Sequence, residues 1–191
     1  MDIMLAAKKR ETKETSIDVT IETEGSGASE IETGIALLDE ILSVFAKTSM
    51  FNLTVKARGD LETGDHHTTE DVGITLGNAI GEVISSGIGS ATVPSGQALA
   101  MAAVRFGEPG YRRDFEFRAR ELGGMSLENF DHFLRTLAYS AKFTLAISAD
   151  GGDDKSKIEA MSTALGRAVA RARRDEYLLK KSHGQEPAIR S

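Results

Sequence analysis

The sequence predicts an α+β fold made of two similar halves, each laying its helices on one face of an antiparallel-rich sheet. Three observations predict it. Segments with period-two alternation and segments with helical stripes follow one another in a β-β-α-β-α order, and that order occurs twice. Residues repeat with it: Asp39, Leu42, Ala46, Phe51, Leu53, Ala57 and Gly59 recur as Asp131, Leu134, Ala138, Phe143, Leu145, Ala149 and Gly151, at a constant offset of 92 (131 − 39). After a three-residue deletion, Glu70, Leu76, Gly77 and Ala79 match Glu159, Leu165, Gly166 and Ala168, at an offset of 89 (159 − 70). Self-similarity of this kind marks an internal duplication. Residues 1–93 form the first half, 94–180 the second and 181–191 a flexible tail.

Taken in order, residues 16–23 alternate Ile17, Val19 and Ile21 with polar side chains, a half-buried strand. Gly25-Ser26-Gly27 turns the chain, and 29–33 is a short return strand. Ile35, Leu38, Ile41, Leu42 and Phe45 fall on one helical face, and Phe51, Leu53, Val55 and Ala57 alternate again up to Gly59-Asp60. Val72, Leu76, Ile80 and Val83 stripe a second helix, capped by Asp65 or Thr68 and running to about Ser86. Residues 87–96 are a Gly- and Ser-rich connection, 97–106 a buried strand, and 114–120 an alternating strand through Phe115 and Phe117. Ser126 caps a helix striped by Leu127, Phe130, Phe133, Leu134 and Leu137. A strand through Phe143, Leu145 and Ile147 follows, and then a long helix over 158–179. Gly77 and Gly166 occupy equivalent places in the paired helices, which points to close helix–helix approach, because glycine there otherwise costs about 1 kcal/mol.

Composition removes several function classes. With 40% apolar and 27% charged residues, the 191-residue chain is ordinary for a globular protein with ample core. A formal charge of −6, with no stripe of Lys and Arg interleaved with aromatics, argues against nucleic acid as a partner. Lys8-Lys9-Arg10 and Arg171, Arg173 and Arg174 are expected to be solvated ends. The absence of cysteine excludes disulfides and thiolate ligands and fits a cytoplasmic location. No apolar run reaches the length of about 18 residues that a membrane span requires, and Met4-Leu5-Ala6-Ala7 is too short for a secretory signal.

The chemistry concentrates in Asp65-His66-His67-Thr68-Thr69-Glu70-Asp71, which holds two of the four histidines. On a helix His66 and Glu70, four apart, share a face, while His67 lies about 100° round. Imidazole with carboxylate suits Mn, Fe, Co or Zn better than an all-oxygen Mg or Ca site. A duplicated site calls for a matching set in the second half. That half reads Lys155-Ser156-Lys157-Ile158-Glu159, with the glutamate present and both imidazoles replaced.

Arg10-Glu11-Thr12-Lys13-Glu14-Thr15, Thr33-Gly34-Ile35, Gly59-Asp60 and the long run from Asp65 to Gly77 resemble the imidazoleglycerol-phosphate dehydratase family, over residues 10–172. The resemblance implies a duplicated fold and homo-oligomers built from trimers, up to about 24 subunits. It implies two Mn sites between subunits, and a lyase of histidine biosynthesis that dehydrates a small phosphorylated imidazole through an imidazolate-type intermediate. By the same resemblance Glu14 is the acid/base residue, and His66, His67, Glu70, Glu159 and Glu40 are the candidate ligands of Mn or another divalent transition metal.

The chain departs from the family pattern at several of these places. Asp-His-Met-Leu reads Asp39-Glu40-Ile41-Leu42, Thr-Leu-His-Ile reads Thr144-Leu145-Ala146-Ile147, and the second His-His pair reads Lys155-Ser156. Thr163 replaces the lysine of Phe-Lys-Ala. The arginine after Gly87-Ile88 is deleted, and Arg105-Phe106-Gly107-Glu108-Pro109 lacks the arginine of Asp-x-Ser-Gly-Arg. Pro-Met-Asp-Glu-Ala-Leu reads Pro94-Ser95-Gly96-Gln97-Ala98-Leu99. These losses remove imidazole ligands and bidentate phosphate donors. What remains is a smaller, carboxylate-richer site, with one metal or none. Two readings follow: a dehydratase or close lyase with a divergent site, and a non-catalytic paralogue that acts in assembly or regulation. A different substrate in the same cavity is a third. His132 aligns with Glu40 and is read as structural, and His183 as a solvated tail residue.

Overall fold

The computed structural model describes residues 2–182 and Gly184, so His183 and the rest of the tail lie outside the described residues. The first half contains strands β1 (Leu5–Glu11), β2 (Thr15–Glu22) and β3 (Ser29–Glu32), helix α1 (Ala36–Ser49), strand β4 (Asn52–Gly59) and helix α2 (His66–Val83). The second contains β5 (Ile88–Ser95), β6 (Ala98–Phe106), β7 (Gly110–Asp114), a small hairpin β8 (Glu121–Leu122) and β9 (Met125–Ser126), then α3 (Leu127–Ser140), β10 (Phe143–Gly151) and α4 (Asp154–Ser182). The two main sheets have the same topology, β1-β2-β4-β3 and β5-β6-β10-β7. Both halves of the α+β fold are therefore present, each main sheet with one more strand than the periodicity revealed, and the second half adds the β8–β9 hairpin.

The added strands have physical explanations. In β1 only Ala6 is buried, so the alternation is written in Lys and Arg rather than in apolar residues. Lys8-Lys9-Arg10 is thus part of an edge strand paired antiparallel to β2, where lysines discourage further pairing, and not a solvated end. The stretch 87–96 is β5 rather than a connection. Its small residues Gly89, Ala91 and Val93 face inward, and a Cβ on Gly89 would enter the α4 backbone at Ala172 N, 2.5 Å away. β3 does not return onto β2; it pairs parallel to β4, with Ile31 opposite Val55, through the crossover made by α1. β7 ends at Asp114, and Phe115 and Phe117 leave the sheet to pack on Phe130.

Helix α2 packs on β1 and β2, α4 on β5 and β6, and the two halves join helix to helix, α1 against α4 and α2 against α3. Ile41, Phe45, Leu76, Phe133, Leu137 and Leu165 meet at the centre around a void of only about 10 Å³. No helix among the described residues is long and apolar enough to cross a membrane.

The paired glycines sit where those helices cross. A Cβ at Gly77 would lie 2.6 Å from Ser140 Cβ and 2.8 Å from Leu137 O, and one at Gly166 would lie 3.0 Å from Phe45 O. The arginine cluster near the C-terminus is not all solvated. Arg173 is 5% exposed and donates to Asp2 O at 2.9 Å and to Glu176 at 3.2 Å. Glu176, itself 1% exposed, also accepts from Ser85 N and Oγ (3.0 and 2.8 Å) and from Lys180 (2.9 Å). Burial pushes its carboxyl up, but the Lys180 and Ser85 hydrogen bonds outweigh burial and hold it below its ordinary 4.5.

Two outcomes follow. Gly77→Ala gains helix propensity of about 1 kcal/mol yet loses stability by about 1–3 kcal/mol from overpacking, as a urea titration will read. The Glu176 contribution is complete above the ordinary carboxylate range and is lost as pH falls through its depressed value. Stability therefore declines in acid below about pH 4.5, and Glu176→Gln flattens that decline in unfolding measured against pH.

Candidate functional site

The hairpin β1–β2 and the N-terminal part of α2 are drawn together by one buried carboxylate. Asp71, 8% exposed, accepts from Arg10 Nε at 2.7 Å and from Thr15 Oγ1 at 2.5 Å, one donor on each oxygen. Lys8 adds an ion pair to Glu82 further along the same helix. The end of β4 closes the arrangement, because the missing side chain of Gly59 leaves room for Thr68, and Thr15 Cγ2 lies 3.4 Å from where a Cβ would stand. Residues of three of the matched motifs thus meet in one place.

Glu14 is exposed at the tip of that hairpin, its carbonyl accepting from Asp60 N at 3.2 Å and its amide donating to Thr12 Oγ1 at 3.2 Å. The backbone is fixed and the side chain is exposed. Asp65 occupies the cap position of α2 but spends its carboxylate elsewhere, accepting from Ser126 N at 3.0 Å. That bond sets the start of α3 beside the start of α2. Ser126 precedes α3 without a side-chain capping bond.

The predicted convergence of His66 and Glu70 is present, with His66 Nε2 3.6 Å from Glu70 Oε2. Two bonds of about 2.1 Å can meet between atoms so placed. Asn129 Oδ1 lies 3.0 Å from His66 Nδ1. With Nδ1 protonated, His66 donates to Asn129 and turns the Nε2 lone pair toward Glu70, the orientation an outer-sphere partner imposes on an imidazole ligand. The His67 ring stands edge-on to His66 with centroids 5.7 Å apart, and the His132 ring does so from α3 at 5.5 Å. Three of the four histidines therefore share one end of the α2–α3 pair.

Glu159 instead accepts from Ser95 Oγ at 3.1 Å, and Glu40 is exposed on α1. Among the described residues no three His, Asp or Glu side chains close round one point. Among the described residues His66 and Glu70 are the predicted donors that stand at metal-ligand spacing. A groove of about 960 Å³ beside the segment 114–118 is lined by none of the predicted site residues. Asn129 and His132 were missed as neighbours of His66. They lie three apart on α3 and so share a face, but nothing local says that α2 is what they face.

Comparison with known proteins agrees with the motifs. The family model "Imidazoleglycerol-phosphate dehydratase" matches residues 33–169. The imidazoleglycerol-phosphate dehydratase of Methanocella arvoryzae is 42% identical over 173 residues, covering 87% of this chain and 90% of that one. That of Methanothermobacter thermautotrophicus is 40% identical over 189 residues, covering 96% and 94%. The crystal structure of the Staphylococcus aureus enzyme superposes with a TM-score of 0.78 at 28% identity, covering 88% of this chain and 98% of that one. The Pyrococcus furiosus structure gives 0.73 at 30% identity, covering 86% and 92%. In sequence, motif placement and doubled sheet topology alike, the chain belongs to the imidazoleglycerol-phosphate dehydratase family.

Proposed function

We propose that this protein is a hydro-lyase that dehydrates imidazole glycerol phosphate in histidine biosynthesis, using a single divalent transition metal such as Mn. The observation that carries the reading is the His66–Glu70 pair, 3.6 Å apart with His66 oriented by Asn129, inside the motif that matches the family. His67 stands next to it, and Glu40 and Glu159 would supply oxygen ligands from a neighbouring copy in a trimer-based homo-oligomer. Carboxylate at position 40, Ala146 and the Lys155-Ser156 pair leave too few imidazoles for two ions of the same kind. When bound, the metal supplies a Lewis acid that polarises the substrate's imidazole.

The chain's own residues do the rest. Glu14, exposed and backbone-anchored, takes a proton from carbon and returns one to the departing hydroxyl, which leaves as water. Asp71 acts as a positioning residue: through Arg10 and Thr15 it keeps the hairpin that carries Glu14 against the helix that carries His66. A non-catalytic assembly role draws no support from the relatives, since those named are all dehydratases.

Protein loaded with Mn and desalted through a sizing column retains about one ion per chain by mass spectrometry and forms water and the dehydrated product from imidazole glycerol phosphate. Glu14→Gln keeps the ion and loses about 10²–10⁴ in kcat. His66→Ala loses ion and activity together. Absence of turnover by the loaded wild-type protein overturns the assignment.

A further inference from the structure

Edge strand β7 and helix α3 enclose a groove of about 300 Å³, lined by Tyr111, Arg113, Asp131, His132, Arg135 and Tyr139. Tyr111 and Arg113 are two apart on the strand and so project from one face. Asp131, Arg135 and Tyr139 follow at four-residue steps along the helix and so form one stripe.

The polar groups of this groove are unequally satisfied. Both oxygens of Asp131 are taken, Oδ1 by the Tyr111 hydroxyl at 2.6 Å and Oδ2 by Arg113 Nε at 3.1 Å. Burial and the adjoining Asp131 carboxylate push the Tyr111 phenol far above its ordinary range, so its proton stays on that bond. Arg113 also donates Nη1 to Phe115 O at 3.0 Å and lies over the Phe115 ring, 5.1 Å from its centroid, and among the described residues its Nη2 makes no hydrogen bond. Arg135 lies over the Tyr139 ring, 5.9 Å from the centroid, and among the described residues it makes no ion pair.

Charge follows from the same list. Arg113 and Asp131 cancel, and Arg135 leaves one uncompensated positive charge in a chain whose formal charge is −6. The groove has unused donors from two elements, Arg113 Nη2 from the strand and the Arg135 fork from the helix, with His132 at its rim as a third. Donors arriving from three side chains suit the tetrahedral oxygens of a phosphate better than the planar pair of a carboxylate. His132, which lines the groove, also stands 5.5 Å from the His66 ring, centroid to centroid.

We propose that this groove is an anion subsite that takes the phosphate of a small phosphate monoester, gripped by Arg135 and Arg113 and flanked by His132. The family's own phosphate donors, whose positions are deleted or replaced in this chain, lie elsewhere in the sequence. The subsite does not depend on turnover, and it is tested with ligands that the protein does not dehydrate.

Inorganic phosphate and glycerol 3-phosphate are titrated calorimetrically into the full-length protein, with and without EDTA. The expected result is one site per chain, millimolar or tighter, unchanged by EDTA. Arg135→Gln, an exposed position that leaves the core intact, weakens it at least tenfold, whereas Arg105→Gln on β6 leaves it unchanged. With only four histidines in the chain, the imidazole C–H signal that His132→Gln removes is identifiable by NMR, and it shifts on adding phosphate. Binding that EDTA abolishes belongs to the metal and overturns the subsite. So does binding that Arg135→Gln leaves intact, or the absence of saturation below about 50 mM. None of these outcomes bears on whether the Mn-loaded protein dehydrates its substrate.

Discussion

Asp71 sits inside α2 with its carboxylate almost out of water, and it is tolerated there because two donors from the β1–β2 hairpin complete it. Hydrogen bonds to a charged group contribute about 1.5–3 kcal/mol each, whereas a buried carboxylate left alone costs several. The hairpin and the helix are therefore bound to dock together. Everything proposed for the reaction depends on that docking, since Glu14 is on the hairpin tip and His66, His67 and Glu70 are on the first two turns of the helix.

The duplication uses buried or half-buried aspartates as fasteners throughout. Asp39 accepts from Thr33 N and Oγ1, and its counterpart Asp131 accepts from Tyr111 and Arg113. Asp65 accepts from Ser126 N, and its counterpart Asp154 from Arg118 N and Ala119 N. The acceptor is the same in each half, and the donors differ. Where the first half closes Asp39 with a hydroxyl and an amide, the second brings in an arginine and a phenol, and with them a polar groove. The imidazoles are unequal as well. They gather at the α2–α3 end, while the equivalent α1–α4 end has Lys155, Ser156 and Glu159.

Function in this family is therefore read from the site and not from the fold. The topology is doubled, but the three described histidines sit at one end. A single chain brings two donors to metal-ligand spacing and orients one of them through Asn129.

By itself the sequence determined the duplication, the α+β class and the His66–Glu70 pair, because these depend on repetition, periodicity and spacing, and its motifs carried the resemblance to the family. It also determined that Gly77 and Gly166 sit at helix crossings, since a repeated glycine in a helix is costly unless close approach requires it. It did not reveal β1, whose alternation is written in Lys and Arg, nor β5, whose Gly and Ser resemble a linker. Only the tertiary structure decided that Asp71 takes Arg10, that Asn129 and His132 stand over His66, and that Glu176 accepts from Ser85. Each of these joins residues far apart in the chain, and pairing of that kind is set by which faces the helices and sheets bury against one another, which no local pattern encodes.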